Sequence, residues 1–259
     1  MAIRKLIQHN RLFLSFFLVF LILGIIYNFG ISDKGSTHLL LNSFHSSTLD
    51  FIMKYYTVVG EWIPYVVVAL LLFYKLGWSL FLLADVALSG LVTQVLKHLF
   101  DASRPYSWFA TYYPEVELPL VDGVRLSQYF SFPSGHSTTF FAMFFALSIV
   151  CTEHIASYPI QSTKNKTISY ILQTIFISLA ILGGYSRIYL SQHFLEDILG
   201  GAFVGIFTTL CLYCTIQNLK NKSFWHYNLK KIKKNTLKIC TIKKKAVPLH
   251  SLSKRKYVE

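Results

Sequence analysis

The chain has 259 residues, 53% of them hydrophobic and 14% charged, with a mean hydropathy of +0.46. That balance excludes an ordinary soluble domain and a disordered chain, and points to an integral membrane protein. The formal charge of +13 is unevenly spread: thirteen of the 25 Lys and Arg residues lie from Lys220 onward, against Glu259 alone, so residues 1–219 are close to neutral.

Arg4, Lys5 and Arg11 precede an apolar run from Leu12 to about Ile31. The run is long enough to cross a bilayer and too long for a signal-peptide core, so a retained first helix with its N-terminus inside is expected. Ser32 to Lys54 is polar, holds His38 and His45 without metal-ligand spacing, and is expected as an external loop, partly helical along the membrane surface. A second span, roughly Tyr56 to Tyr74, is interrupted by Gly60, Glu61 and Pro64, which predicts a kink at its outer end. The third, about Trp78 to Phe100, carries Asp85, Ser89, Thr93, Gln94 and Lys97 as a slanting polar stripe that should face the bundle interior. Asp85 there reads as one half of a structural interhelical hydrogen bond, and His98 points away from Lys97. Asp101 to Phe132 reads as an external loop whose aromatic residues, Trp108 and Tyr129 among them, suit headgroup depth. Glu61 and Arg125 read as structural or solvated charges near the outer face.

The fourth span begins near Ser134 and ends near Cys151, and the polar, basic segment Thr152 to Lys166 reads as internal. The fifth covers about Ile168 to Tyr185. The sixth runs from Phe194 to Leu219, with Gly201 and Gly205 in a G-x-x-x-G spacing that permits close helix packing. The fold class is therefore an all-α integral membrane protein, a six-transmembrane-helix bundle over residues 1–219 followed by a basic tail, 220–259. Basic residues gather at the N-terminus, the Lys75 turn, the Lys164/Lys166 loop and the tail. By the positive-inside rule both termini are cytoplasmic, and the ends of spans three to six meet at the external face. The tail is expected to meet anionic lipid headgroups, and it has no nucleic-acid recognition motif, so nucleic acid is not expected as a partner. Cys211 and Cys214 read as small packing residues, and Cys151 and Cys240 as reduced thiols at internal ends, so no disulfide framework is expected.

Three segments at that external face carry chemistry. Lys97-x6-Arg104-Pro105 closes the third span, Pro133-Ser134-Gly135-His136 opens the fourth, and Ser186-Arg187-x5-His193-x3-Asp197 joins the fifth to the sixth. Phosphoryl transfer spreads negative charge over three equatorial oxygens, so its main requirements are positioning and positive charge, which Lys97, Arg104 and Arg187 supply. Pro133-Ser134-Gly135 is suited to an anion-binding helix N-terminus, with Ser134 as a hydroxyl donor and Gly135 letting its N–H approach an oxygen closely. Asp197, four residues after His193, can hold that imidazole in one tautomer as a nucleophile, while His136 protonates the leaving oxygen and later activates water. A phosphohistidine intermediate follows from those roles. No metal or other cofactor is expected, because two histidines and one aspartate among three cations would repel a metal ion.

Together, in this order and spacing, these segments resemble the type 2 phosphatidic acid phosphatase family, whose motifs read K-x6-RP, PSGH and SR-x5-H-x3-D. Every motif position is filled, over about Ser79 to Gly205. The resemblance implies a six-helix bundle in a bacterial cytoplasmic membrane that hydrolyses a phosphate monoester or diphosphate of a lipid at its external, periplasmic face. The acidic residues Glu115, Glu117 and Asp122 offer acceptors for sugar hydroxyls or amines, which favours an envelope lipid such as lipid A phosphate or undecaprenyl diphosphate over phosphatidylglycerol phosphate or phosphatidic acid. A vanadium-dependent haloperoxidase and a non-enzymatic lipid transporter are the readings in other functional classes.

Overall fold

A computed structural model describes residues 2–157 and 163–218; residues 158–162 of the internal segment, Leu219 and the basic tail 220–259 with Cys240 lie outside the described residues. These residues form nine α-helices and no strand. They are α1 (Ala2–His9), α2 (Arg11–Ile26, continued by a π-helical turn Tyr27–Ile31), α3 (Lys34–Leu41), α4 (Ser47–Tyr74), α5 (Leu76–Phe100), α6 (Pro105–Tyr112), α7 (Gly135–Ala156), α8 (Thr163–Tyr189) and α9 (Leu195–Asn218). Five segments are long and apolar enough to cross a membrane: Arg11–Ile31, Leu76–Tyr112, Gly135–Ala156, Thr163–Tyr189 and Leu195–Asn218. Helix α4 supplies a sixth as a bent pair, Ser47–Val58 and Gly60–Tyr74, inclined at 47°. Pro64 lacks an N–H and crowds the carbonyl of residue 60, which accounts for a bend at that place.

Three expectations are corrected by local chemistry. The polar stretch 32–54 is mostly helix: Asp33 caps α3 by accepting from the N–H groups of Gly35 and Ser36 at 2.9 and 3.0 Å, and Ser46 caps α4 by accepting from Leu49 at 3.3 Å. The second span therefore starts at Ser47 rather than near Tyr56. The 101–132 segment contains α6, which Pro105 opens at its first position. The N-terminal residues fold as a separate α1 before the first span.

Helix α7 is the hub, packed against α4, α5, α8 and α9. Its Phe140, Phe141, Phe144 and Phe145 face a core that also takes Phe13 and Phe17 from α2 and Phe81 from α5. On α9, Gly201 and Gly205 serve close packing, as their spacing predicts. A Cβ at Gly201 would lie 2.4 Å from the Ser134 carbonyl oxygen, and one at Gly205 2.5 Å from that of Thr138. The polar stripe of α5 also faces inward at Asp85, Ser89, Thr93 and Lys97, all buried, whereas Gln94 is turned outward because it lies off the four-residue row. Asp85 accepts from the Thr209 hydroxyl of α9 at 2.8 Å, an interhelical bond of the expected kind.

Candidate active site

Helix ends bring the three motif segments together. Ser134 caps α7, its Oγ accepting from the Ser137 N–H at 3.4 Å, while its own N–H donates to the Asp197 carbonyl at 2.9 Å and so ties α7 to α9. That use of the hydroxyl oxygen leaves the hydroxyl proton for another partner. A Cβ at Gly135 would touch only Thr93 and Lys97, at 3.8 and 3.9 Å, so packing alone does not require glycine there. Pro105 and Ser186 are structural: one starts α6, and the other donates its hydroxyl to the Gly183 carbonyl at 2.7 Å.

His193 sits in the turn between α8 and α9, where its N–H and that of Gln192 both donate to the Arg187 carbonyl at 3.2 and 2.9 Å. Its Nδ1 faces Asp197 Oδ2 at 3.4 Å, and both side chains are buried. The carboxylate is held more tightly by others: Oδ2 accepts from Ser131 Oγ at 2.5 Å and from the Phe194 N–H at 2.8 Å. Burial first, and then the nearby Arg104, Arg187 and Lys97, hold the His193 pKa well below the usual imidazole range. The ring is thus neutral at pH 7, the form in which a ring nitrogen carries a lone pair.

The cations converge on the same place. Arg104 donates through Nε to the Tyr129 carbonyl at 3.0 Å and through Nη1 to Gln192 Oε1 at 3.2 Å. Arg187, buried, donates through Nη1 to Thr57 Oγ1 at 2.6 Å and through Nη2 to the same Gln192 oxygen at 3.3 Å. Lys97 Nζ donates to the Phe130 carbonyl at 2.5 Å. Two guanidinium groups share one neutral amide oxygen, and among the described residues neither forms an ion pair, an arrangement suited to an oxyanion. Lys97 and Arg104 also line a cavity of about 490 Å3 with Gln94, His98, Arg125 and residues 126–130. His136, at the first turn of α7, hydrogen-bonds through Nε2 to Glu61 Oε1 at 2.8 Å. His98, not assigned to the site from the sequence, lines that cavity too, with its Nδ1 bonded to the Gln94 carbonyl of its own helix at 2.8 Å. Among the described residues no group of three or more His, Cys, Asp or Glu side chains is arranged to hold a metal ion.

Sequence reasoning missed four contributors: Ser131, Gln192, Thr57 and Glu61. It also missed α3, which clamps the His193 turn from outside. Asn42 Nδ2 donates to the carbonyls of Ile188 and Tyr189 at 2.9 and 2.7 Å, Lys34 pairs with Glu196 at 2.5 Å, and buried His38 lies 3.4 Å from Ser191 Oγ with its ring against Phe109 and Phe194. Burial, reinforced by Lys34 and opposed by Asp197, lowers the His38 pKa to about 4.

Residues 78–221, over half the chain, match the model of the PAP2 superfamily. The chain is 33% identical over 163 residues to phosphatidylglycerophosphatase B of Bacillus subtilis (strain 168), a match that covers 62% of this chain and 66% of that relative, just under two thirds of its length. Two crystal structures share the fold. LpxE of Aquifex aeolicus superposes with a TM-score of 0.52 at 21% identity, covering 71% of this chain and 96% of its own. A transmembrane PAP2-type phosphatidylglycerolphosphate phosphatase from Bacillus subtilis gives 0.54 at 24% identity, covering 83% and 99%.

Proposed function

The chain belongs to the PAP2 superfamily, and on that premise we propose that this multi-pass membrane protein is a lipid phosphatase acting through a phosphohistidine intermediate. The observation that carries the reading is buried His193, neutral at pH 7, with Asp197 at Nδ1 and three cations around it. With Nδ1 engaged, Nε2 is the nucleophile. It forms a bond to phosphorus as the bond to the leaving oxygen breaks, and His136 gives that oxygen its proton. Lys97, Arg104, Arg187, the Ser134 hydroxyl and the Gly135 N–H hold the equatorial oxygens. Water, deprotonated by His136, then attacks the phosphohistidine, releasing phosphate and restoring His193.

A site at the ends of spanning helices, beside aromatic residues at headgroup depth, favours a phosphate carried on a lipid anchor, because the anchor concentrates and orients the headgroup. The distribution of basic residues supports an external, periplasmic site with both termini cytoplasmic, in a bacterial inner membrane. Residues 1–219 then form the catalytic unit and 220–259 a cytoplasmic tail that meets anionic headgroups. For the substrate, the 33% identity to a protein named for phosphatidylglycerophosphate supports phosphatidylglycerol phosphate as a candidate alongside the envelope lipids that the 101–132 segment favours.

The test is phosphate release by the purified protein from phosphatidylglycerol phosphate, phosphatidic acid, lipid A and undecaprenyl diphosphate. His193→Ala should abolish release from the preferred lipid, and wild-type protein quenched in alkali, where the P–N bond survives, should carry label from a radioactive phosphate group on a histidine. Near-normal turnover in His193→Ala, or inactivity of wild-type protein on the whole panel, would overturn the reading. A cysteine placed between residues 101 and 132 should react with an impermeant thiol reagent in intact cells; protection there would invert the orientation.

A further inference from the structure

Helix α4 lies ahead of the family match and carries none of the three motifs, yet two of its side chains reach the reaction centre. Thr57 accepts from Arg187 Nη1 at 2.6 Å, and Glu61 meets His136 Nε2 at 2.8 Å. The two are four residues apart, on neighbouring turns of one helix face. Packing fixes that approach. Gly60 lies so close to α7 that a Cβ there would sit 2.1 Å from the Phe140 ring, and Tyr56 stacks on the same ring with centroids 5.3 Å apart. Phe140 is one turn beyond His136, so the contact that seats α4 on Phe140 also sets Glu61 against His136.

We propose that Glu61 is a positioning residue that makes His136 an effective leaving-group acid, an inference that rests on the phosphatase reading above. A histidine that must carry a transferable proton beside Lys97, Arg104 and Arg187 is placed among like charges, and each of them opposes the imidazolium. Glu61 is the carboxylate that touches this ring. It accepts from Nε2–H, fixes the ring orientation and offsets the cations, which leaves the Nδ1 proton to pass to the alcohol oxygen as the P–O bond breaks and the bond from His193 Nε2 to phosphorus forms. In the second step His136 Nδ1 takes a proton from the attacking water, and Nε2–H stays on Glu61 throughout. In the first step Glu61 matters where the leaving group is an alcohol and little where it is a phosphate, which departs without a proton; the second step is common to both.

Phosphatidic acid and diacylglycerol diphosphate share one lipid anchor and differ in the leaving group, so they form the assay pair. In single turnover, Glu61→Ala should lower the rate of phosphohistidine formation from phosphatidic acid by about 10- to 100-fold, in line with the loss of groups that orient a catalytic histidine. From diacylglycerol diphosphate that rate should stay within about threefold of wild type, because this first step needs no proton, whereas steady-state turnover of both substrates also carries the second step, which His136 serves alike. Glu61→Gln, which keeps an acceptor oxygen without the charge, should fall between. In a His136→Ala background, removing Glu61 should cost nothing further, because the two act as a unit. Thr57→Val should raise KM for both substrates alike, because it touches a phosphate-binding arginine and not the proton. Equal losses of that first-step rate in Glu61→Ala on both substrates, an additive double variant or a wild-type rate on phosphatidic acid would each refute the role of Glu61 while leaving the phosphatase reading intact. If Glu61→Ala does not fold, the Glu61→Gln comparison decides by the same criterion. Wild-type protein that releases phosphate from neither lipid nor from the wider panel would refute the phosphatase reading itself.

Discussion

Substituting Gly201 by alanine should damage the site from a position that touches no substrate. The added Cβ would lie 2.4 Å from the Ser134 carbonyl oxygen, 2.9 Å from Ser137 Cβ and 3.1 Å from the Thr138 nitrogen. The first of these is backbone at the start of α7 and cannot rotate away. Ordinary C···O contacts run at about 3.3–3.6 Å, so α9 must back off α7 by about 1 Å. The same turn carries the Ser134 N–H to Asp197 carbonyl bond at 2.9 Å and the Ser137 hydroxyl to Ile198 carbonyl bond at 2.9 Å, both of which stretch with it. Overpacking of this kind costs about 1–3 kcal/mol of stability. A shift of that size between the helix that bears Ser134 and His136 and the helix that bears Asp197 should cost about 10²-fold in kcat. The assay is phosphate release and thermal unfolding in one detergent, with Gly90→Ala as the control, since nothing lies within 4 Å of a Cβ at Gly90. A Gly201→Ala protein with the kcat and unfolding midpoint of wild type would refute the reasoning.

Three further outcomes follow from the site. Because Ser131 and the Phe194 N–H hold Asp197 more closely than His193 does, Ser131→Ala should lose activity about as Asp197→Asn does, roughly 10²- to 10⁴-fold by analogy with other orienting carboxylates, in steady-state kinetics; an unimpaired Ser131→Ala would leave Ser131 without that role. Since the His193 pKa is depressed, the nucleophile stays neutral below the usual imidazole value of about 6.5, and the acid limb of kcat/KM should fall below that pH; a limb at or above it would contradict the burial argument. His38, depressed from 6.5 to about 4, contributes stability that is fully present above pH 6.5 and is lost as pH falls toward 4, on the order of 3 kcal/mol, and a pH series of unfolding midpoints on wild type and His38→Gln should show the difference vanish in acid.

Much of the architecture is legible in the chain because spanning helices announce themselves by length and apolarity, and α2, α5, α7, α8 and α9 fall within a few residues of their expected places. The three motifs are legible because each is local, within twelve residues. Gln192 is local but falls at one of the unspecified positions of the third motif; the other contributors are not local. Ser131 meets Asp197 across 66 positions, Thr57 meets Arg187 across 130, and Glu61 meets His136 across 75, distances over which no periodicity carries information. One signal was available: Thr57 and Glu61 are polar and one turn apart in a largely apolar helix, a pattern read in α5 as an inward stripe, whereas in α4 Glu61 was read as part of the kink and as a structural or solvated charge and Thr57 not at all. The clamp by α3 stayed hidden for a different reason. Short helices on a membrane surface are decided by caps such as Asp33, and their tertiary partners have no hydropathy signature.

Asp85 has a consequence for how the chain is made. A carboxylate near the middle of a spanning helix costs about 2.5–3.5 kcal/mol to insert alone, and its partner, the Thr209 hydroxyl, belongs to α9, the last of the described helices to leave the ribosome. Helices α4 and α5 are separated by Lys75 alone and so emerge as a hairpin, with Asp85 unbonded to Thr209 until four more helices have been synthesised. Helix α9 is therefore expected to act as a late fastener for the third span. Chains stopped before Thr209 should insert α5 less completely than full-length chains, and Asp85→Leu should remove the difference. Glycosylation mapping of the two sets would measure it, and equal insertion of α5 with and without α9 would show that the hairpin settles on its own.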